Sequence, residues 1–359
     1  MQHGLDWIEQ NKARLAALSD AIWSYAEVGL HETRSAAAQA DVLEAEGFSV
    51  QRGTPGLPTA IVASFGQGKP IIGYLGEYDS LTGVSQKAVP YREPVCAGGP
   101  GHGCGHNLLG VGALGAAVAL KREIEAGAAQ GMVRYYGCPA EDSASGKVFM
   151  AKHGVFDDLD AALTWHPGSL NTVRWGSNLA NNSVRFTFHG RTSHAAASPH
   201  MGVSALDAVE LMNVGVNFLR EHIIQEARIH YVITKGGDQP NVVPALAEVW
   251  YYVRAPQRSD VEEIYQRVIK IAEGAALMTG ATMDLTFVKG VHQVLHNAVL
   301  CDVLEESLQQ AGPPQFSAED FAFAREIEKS FTPGQKAAAM RAGHAPPDLW
   351  DITLHDSIA

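Results

Sequence analysis

The sequence predicts an α/β protein in which a larger domain, with a mixed, largely parallel sheet between helices, is interrupted by a smaller α+β domain of ferredoxin-like βαββαβ order. Three observations predict it. Strands alternate with helices through roughly the first half of the chain. After Asn178 the strands change to a period-two alternation that marks half-exposed antiparallel pairing. The length of 359 residues, with 46% hydrophobic and 18% charged, exceeds what one core usually serves and is enough for two.

Between Leu5 and Glu46 apolar residues recur at helical spacing (Ile22, Ala26; Ala38, Val42, Ala45), and Gly47 stands where a helix C-terminus favours glycine. Two helices therefore open the chain. Short β-branched runs follow at "FSVQRG", "TAIVASFG" and "PIIGYLGEYD", the last apolar on consecutive positions, as in a strand covered on both faces. A helix at "LLGVGALGAAVALKREIEAG", a strand "MVRYYGCP", a helix "GKVFMAKHG" and a strand "AALTWHPG" complete the first layer. In "NSVRFTFHG", Val184, Phe186 and Phe188 share one face and Arg185, Thr187 and His189 the other. A helix from about Ser204 to His222, strands "RIHYVITKGG" and "LAEVWYYVRA", a helix expected to start at Ser259 with a capping box to Glu262, and a strand "ATMDLTFVKG" finish the second domain. The domain expectation is 1–177 with 292–359, and 178–291 inserted. Helical spacing returns at "AVLCDVLEESLQQAG" and "SAEDFAFAREIEKSF", before a polar, Pro-bearing stretch to the end.

A formal charge of −12, a pI near 5.6 and no Lys/Arg block argue against nucleic acid and anionic membranes as partners. The first residues carry charges where a signal peptide would be apolar, and no run approaches the length of a membrane span, so the expected location is the cytoplasm. Four cysteines (Cys96, Cys104, Cys138, Cys301) without a secretion signal do not make a disulfide framework.

The stretch "CAGGPGHGCGHNLLG" (Cys96 to Gly110) is the densest in chemistry. It lacks the second ligand pair of a zinc finger, the Cys-x-x-Cys of a redox pair and the Gly-Lys-Ser/Thr of a phosphate loop. One corner of a metal site assembled from separate loops remains. Glu77 and Asp79, Glu141 and Asp142, and His166 each follow a predicted strand, and parallel strands deliver such segments to one sheet edge. Any one of these is commonly a solvated turn or a satisfied core residue; the convergence is what carries weight. With Cys104 and His106 they form a borderline-soft donor set suited to Zn, Mn or Co, and one of two adjacent carboxylates can serve as general base while the other binds metal.

Six motifs, "GEYDSLTGVSQ", "GPGHGCGHNLLG", "GCPAED", "TWHPG", "GRTSHAAASPHMGVSALDAVELM" and "GGDQPNVVPALAEVWYYVRA", together resemble the metal-dependent amidohydrolases of the aminoacylase and carboxypeptidase superfamily. The resemblance is to the branch that includes aminobenzoyl-glutamate and indoleacetyl-amino-acid hydrolases, and it runs from about Ile22 onward in family order. It implies a catalytic domain with an inserted lid and dimerisation domain, a homodimer or a related second subunit, two divalent ions (Zn or Mn), and hydrolysis of N-acyl or N-aroyl amino acids. By the same resemblance Cys104, His106, Asp142 and His166 are metal ligands, Glu141 is the general base, and Asp79 is the carboxylate that orients the site. His194 in "TSHAAA" resembles the histidine that polarises the scissile carbonyl, often across the dimer. Asn241 and Arg254 resemble the residues that hold the substrate carboxylate.

Two departures qualify the resemblance. Glu141-Asp142 stands where the family usually has Glu-Glu, shortening one ligand arm by a methylene. Relatives also continue to a late Gly-His motif that supplies a further ligand, whereas this chain stops at Ala359, and neither His344 nor His355 lies in a matching context; the expectation is a hydrolase without its C-terminal portion. Rival readings are a catalytically impaired metal-binding or dimerisation protein and a dipeptidase of the same superfamily.

Overall fold

By packing, the chain forms two units, one running to Val173 and resuming at Leu304, the other covering residues 174–303. The segment 292–303 thus counts with the second unit, outside the 178–291 span read from pattern. The computed structural model describes residues 1–173 and 175–341; His344 and His355 lie outside the described residues.

In the first unit α1 (Gln2–Tyr25) and α2 (Thr33–Ala45) lead into β1 (Ser49–Thr54) and β2 (Leu57–Gln67). Then come β3 (Ile71–Gly76), α3 (His106–Glu125), β4 (Gly131–Gly137), the short α4 (Glu141–Ala144) and α5 (Gly146–Lys152), and β5 (Ala161–Leu163). The sheet order is β1-β2-β4-β3-β5, with β3 parallel to both β4 and β5 and the β1–β2 and β2–β4 pairs antiparallel. Gly76 lies beside Gly137, and Tyr74 beside Leu163, so the three parallel strands stop nearly level. The segments that leave them start from one edge, the place where an open α/β sheet gathers ligands.

Helix α3 covers that sheet with small and apolar residues, burying Leu109, Val111, Leu114, Ala117 and Val118. Full burial of a side chain such as Leu114 contributes about 1.5–3 kcal/mol. Its approach depends on glycine: a Cβ on Gly110 would lie 2.4 Å from the carbonyl oxygen of Glu77. The N-terminus of α3, which begins at His106, is thereby held against the end of β3.

The second unit has the order β6 (Ala180–His189), α6 (Ala205–Leu219), β7 (Arg228–Lys235), β8 (Leu246–Ala255), α7 (Arg258–Thr279), β9 (Thr282–Val291). Its antiparallel sheet is ordered β7-β8-β6-β9, the ferredoxin-like arrangement the alternation predicts. Val184, Phe186, Phe188, Val249, Tyr251 and Val253 pack with Met212 and Val216 of α6 and Val268 of α7. The capping box expected at Ser259 is absent. Helix α7 starts one residue earlier, with Gln257 as N-cap and no side-chain cap. Arg258 takes Glu262 (Nη2 to Oε2 3.2 Å), and the Arg258 amide donates to Gln293 Oε1 at 3.2 Å, so a residue distant in sequence does the capping.

Among the described residues three helices follow, α8 (Ala298–Ala311), α9 (Ala318–Glu328) and α10 (Pro333–Arg341). The last lies in the stretch read as merely polar. Thr332 and Gln335 form a reciprocal cap there, the Gln335 amide donating to Thr332 Oγ1 (3.3 Å) and the Thr332 amide to Gln335 Oε1 (2.8 Å), with Pro333 in the first turn.

Candidate metal centre

Seven donor side chains meet at the level edge of the first unit: Glu77 and Asp79 after β3, Cys104 and His106 at the entry to α3, Glu141 and Asp142 on α4, and His166 after β5. Within them three overlapping groups, Cys104–His106–His166, Glu77–His106–Glu141 and Asp79–His106–Asp142, each place one donor atom per residue within 4.8 Å of the others. His106, 1% exposed, belongs to all three.

Asp79, equally buried, holds the cluster together. Its Oδ1 lies 2.9 Å from His106 Nδ1, and its Oδ2 accepts from the Asp142 amide at 3.0 Å. Burial pushes the Asp79 carboxyl up, but the His106 ring and the amides of Asp142 and Glu141 outweigh it and keep the group below its ordinary value. An ionised Asp79 can only accept, so Nδ1 of His106 carries a proton and Nε2 is left to present its lone pair. That Nε2 lies 3.0 Å from Glu77 Oε2, yet the two do not form an aligned hydrogen bond, and both atoms are buried without another partner. Two lone-pair atoms this close require a cation. In the protein alone a proton serves: burial lowers the His106 pKa, but the Asp79 bond and the charges of Glu77, Asp79 and Asp142 raise it above its usual range. The donor chemistry fits a divalent metal in that role.

The rest of the cluster shows the same hunger for positive charge. Cys104 Sγ sits 3.4 Å from His166 Nε2, and burial followed by the surrounding carboxylates pushes the thiol up to about 11. Burial, then the charge of Glu77, raises Glu141, while Lys147 opposes the rise; burial likewise raises Asp142. The His166 ring is set by Nδ1 facing the Pro167 carbonyl at 2.9 Å. Trp165 donates to the Leu109 carbonyl (3.2 Å) and fills the space a Cβ on Gly112 would need, tying this loop to α3.

Sequence reasoning placed Glu77 among the candidate donors after a strand, but missed Lys147, which is ion-paired to it. No local signal marks that pair, since its members are seventy residues apart.

In the second unit His194 and Asn241 come together. His194 bridges Val242, and the Ala195 amide donates to the Asn241 carbonyl at 3.0 Å. His194 Nδ1 accepts from the amides of Ala196 (3.2 Å) and Ala197 (3.1 Å), which leaves Nε2 as the N–H donor. Arg254 is elsewhere. The His194–Asn241 loops adjoin the Leu246 end of β8, where His189 pairs, and Arg254 lies near its other end, roughly 27 Å along the strand. There its guanidinium lies 5.2 Å over the Tyr252 ring, with Nε buried and unpartnered.

Comparisons agree with this architecture. Residues 180–278 match the M20 family's peptidase dimerisation domain. The chain is 49% identical over 329 residues to a p-aminobenzoyl-glutamate hydrolase subunit from Escherichia coli, covering 91% of this chain and 68% of that one. It is 32% identical to the Xaa-Arg dipeptidase of Mus musculus, covering 87% and 72%. A crystal structure of the aminobenzoyl-glutamate utilization protein from Klebsiella pneumoniae superposes with a TM-score of 0.67 at 19% identity, covering 92% of this chain and 91% of that one.

Proposed function

The chain belongs to the M20 family of metal-dependent amide hydrolases, and from that premise we propose that it cleaves the amide joining an acyl or aroyl group to an amino acid, with aminobenzoyl-glutamate the leading substrate. The observation that carries the reading is the buried pair His106 Nε2 and Glu77 Oε2, 3.0 Å apart without a hydrogen bond, at the centre of three donor groups. Cys104, His106, Asp142 and His166 would hold the metal, Zn or Mn by the mix of thiolate, imidazole and carboxylate, and the three overlapping donor groups offer room for two ions. Bound there, a divalent ion would supply Lewis-acid chemistry for water activation and carbonyl polarisation. Asp79 fixes the His106 tautomer. Glu141, its pKa raised by burial, takes the water's proton and returns it to the leaving amine. The His194 Nε2–H donates to the carbonyl oxygen, and Asn241 and Arg254 hold the substrate carboxylate.

Because Arg254 and the His194–Asn241 pair stand at opposite ends of one sheet, a single copy of the second unit cannot bring all three to one small substrate. The reading therefore calls for two copies, one giving His194 and Asn241 and the other Arg254. The dimer surface we propose is the β7 edge, with Tyr231, Val232 and Ile233 exposed, beside the α6 face bearing Leu211, Val214 and Phe218. An open strand edge next to an apolar helix stripe suits self-pairing. All four cysteines are free thiols, which fits a reducing compartment, and we place the protein in the cytoplasm. Among the described residues no helix is long and apolar enough to cross a membrane.

The dipeptidase among the relatives favours a second reading, in which the acyl side is itself an amino acid. Chromatographic assay of product release from aminobenzoyl-glutamate, an N-acetyl amino acid and an Xaa-Arg dipeptide separates the two. Faster release from the dipeptide would overturn the aroyl assignment, and no release from any would overturn the hydrolase reading.

A further inference from the structure

Glu32 is fully buried, ahead of α2, and its two oxygens have two different partners. Oε1 accepts from the Ala140 amide at 2.7 Å and Oε2 from Thr59 Oγ1 at 3.0 Å. Ala140 is the residue before Glu141, and it occupies the left-handed region with φ of 55°, a conformation alanine adopts only when its surroundings impose it. On the other side of Glu141, the Asp142 amide is taken by Asp79. Two buried carboxylates from distant parts of the chain thus hold the amides on either side of Glu141. The loop that carries Glu32 lies directly on this turn: a Cβ on Gly29 would be 2.1 Å from Ser143 Oγ and 2.9 Å from Ala140 Cα. The same loop reaches the Asp79 segment, where Val28 bridges Ser80 and the Ser80 amide donates to the Glu27 carbonyl at 2.9 Å.

We propose that Glu32 is a positioning residue, which by accepting the Ala140 amide holds the strained turn that aims Glu141 and Asp142 into the donor cluster. A loop with no donor atom in the cluster thereby sets the direction of two carboxylates that have one. The inference rests on the role given to Glu141 above, so its test includes a reading taken without substrate.

The test compares Glu32→Ala, Glu32→Gln and Thr59→Val in the whole chain, by hydrogen exchange at the Ala140 amide, thermal melting and steady-state hydrolysis of aminobenzoyl-glutamate. Glu32→Ala should speed exchange at Ala140 by about tenfold or more and lower kcat by about 10–100-fold, with KM little changed. Glu32→Gln keeps an acceptor for Ala140 and an amide for Thr59, and should restore both readings to within about threefold. Thr59→Val removes the other bond alone, so it should lower the melting temperature without loosening Ala140 or reducing kcat. If Glu32→Ala does not fold, Glu32→Met keeps the volume without the acceptor and carries the same expectation. Unchanged exchange and kcat in the folded Ala or Met variant would overturn the proposal, as would Thr59→Val matching its effects. A wild-type protein without hydrolase activity would count against the proposed function, while the exchange result would still decide the role of Glu32.

Discussion

In the first unit seven donor side chains from four separate segments lie within reach of one buried imidazole, and backbone amides and a buried aspartate fix their directions. In the second unit the residues matched to the substrate's carbonyl and carboxylate are split, with exposed His194 and Asn241 at one end of β8 and Arg254 at the other. The first arrangement is organised within one chain before any ligand arrives. On the proposed reading, the second works only when another copy supplies what one sheet cannot bring together. The residues that hold metal and move the water's proton then belong to the first unit, and those that meet the substrate's carbonyl and carboxylate belong to the element proposed to pair.

Variants can break this contrast, and the largest effect should come from the first unit. Glu141→Gln should lower kcat by about 10²–10⁴-fold while leaving metal stoichiometry intact, because an amide cannot take the water's proton; metal loss in this variant would make Glu141 a ligand instead. Arg254→Ala, in the second unit, should raise KM by about 10–100-fold for substrates with a free α-carboxylate and far less for their esters, with no change in metal content. Mixing it with His194→Ala sharpens the point. Random pairing gives half mixed dimers with one intact site each, so about a quarter of wild-type activity should return; no recovery would place all three residues in one copy's site.

Asp79→Asn should weaken metal binding by about 10–100-fold, since an amide no longer dictates which His106 nitrogen carries the proton. The smallest effect is a slope. With the Cys104 thiol held at about 11 in the metal-free protein, a metal must displace its proton. Apparent metal affinity should therefore rise with pH through the neutral range, by at most about tenfold per unit from this group, and Cys104→Ser should flatten that rise while weakening binding throughout. Calorimetric titrations at several pH values measure both.

Much of this was legible in the sequence where a signal is local. Alternation gave the second unit's strand faces, and the position of Glu141, Asp142 and His166 after apolar runs placed them at a sheet edge. What stayed hidden depends on contacts between distant residues. Glu32 and Ala140 are 108 apart, and nothing around either marks the pairing. The four-residue helix carrying Glu141 is too short to show a period. At Ser259 the local rule misled, because the helix began a residue earlier with the Arg258 amide on Gln293, and Arg258 took the Glu262 carboxylate a capping box would have used. At Thr332 the opposite happened: a Thr-Pro-x-Gln cap was present in the sequence, and the surrounding polar composition masked it.

The central claim is that the cluster around His106 binds a divalent metal which the amide hydrolysis requires. Its most direct test is turnover of aminobenzoyl-glutamate by protein stripped with a chelator, assayed before and after adding back Zn or Mn with metal content measured in parallel. The account predicts no turnover in the stripped protein and recovery in proportion to bound metal. Full turnover with the metal removed would contradict it.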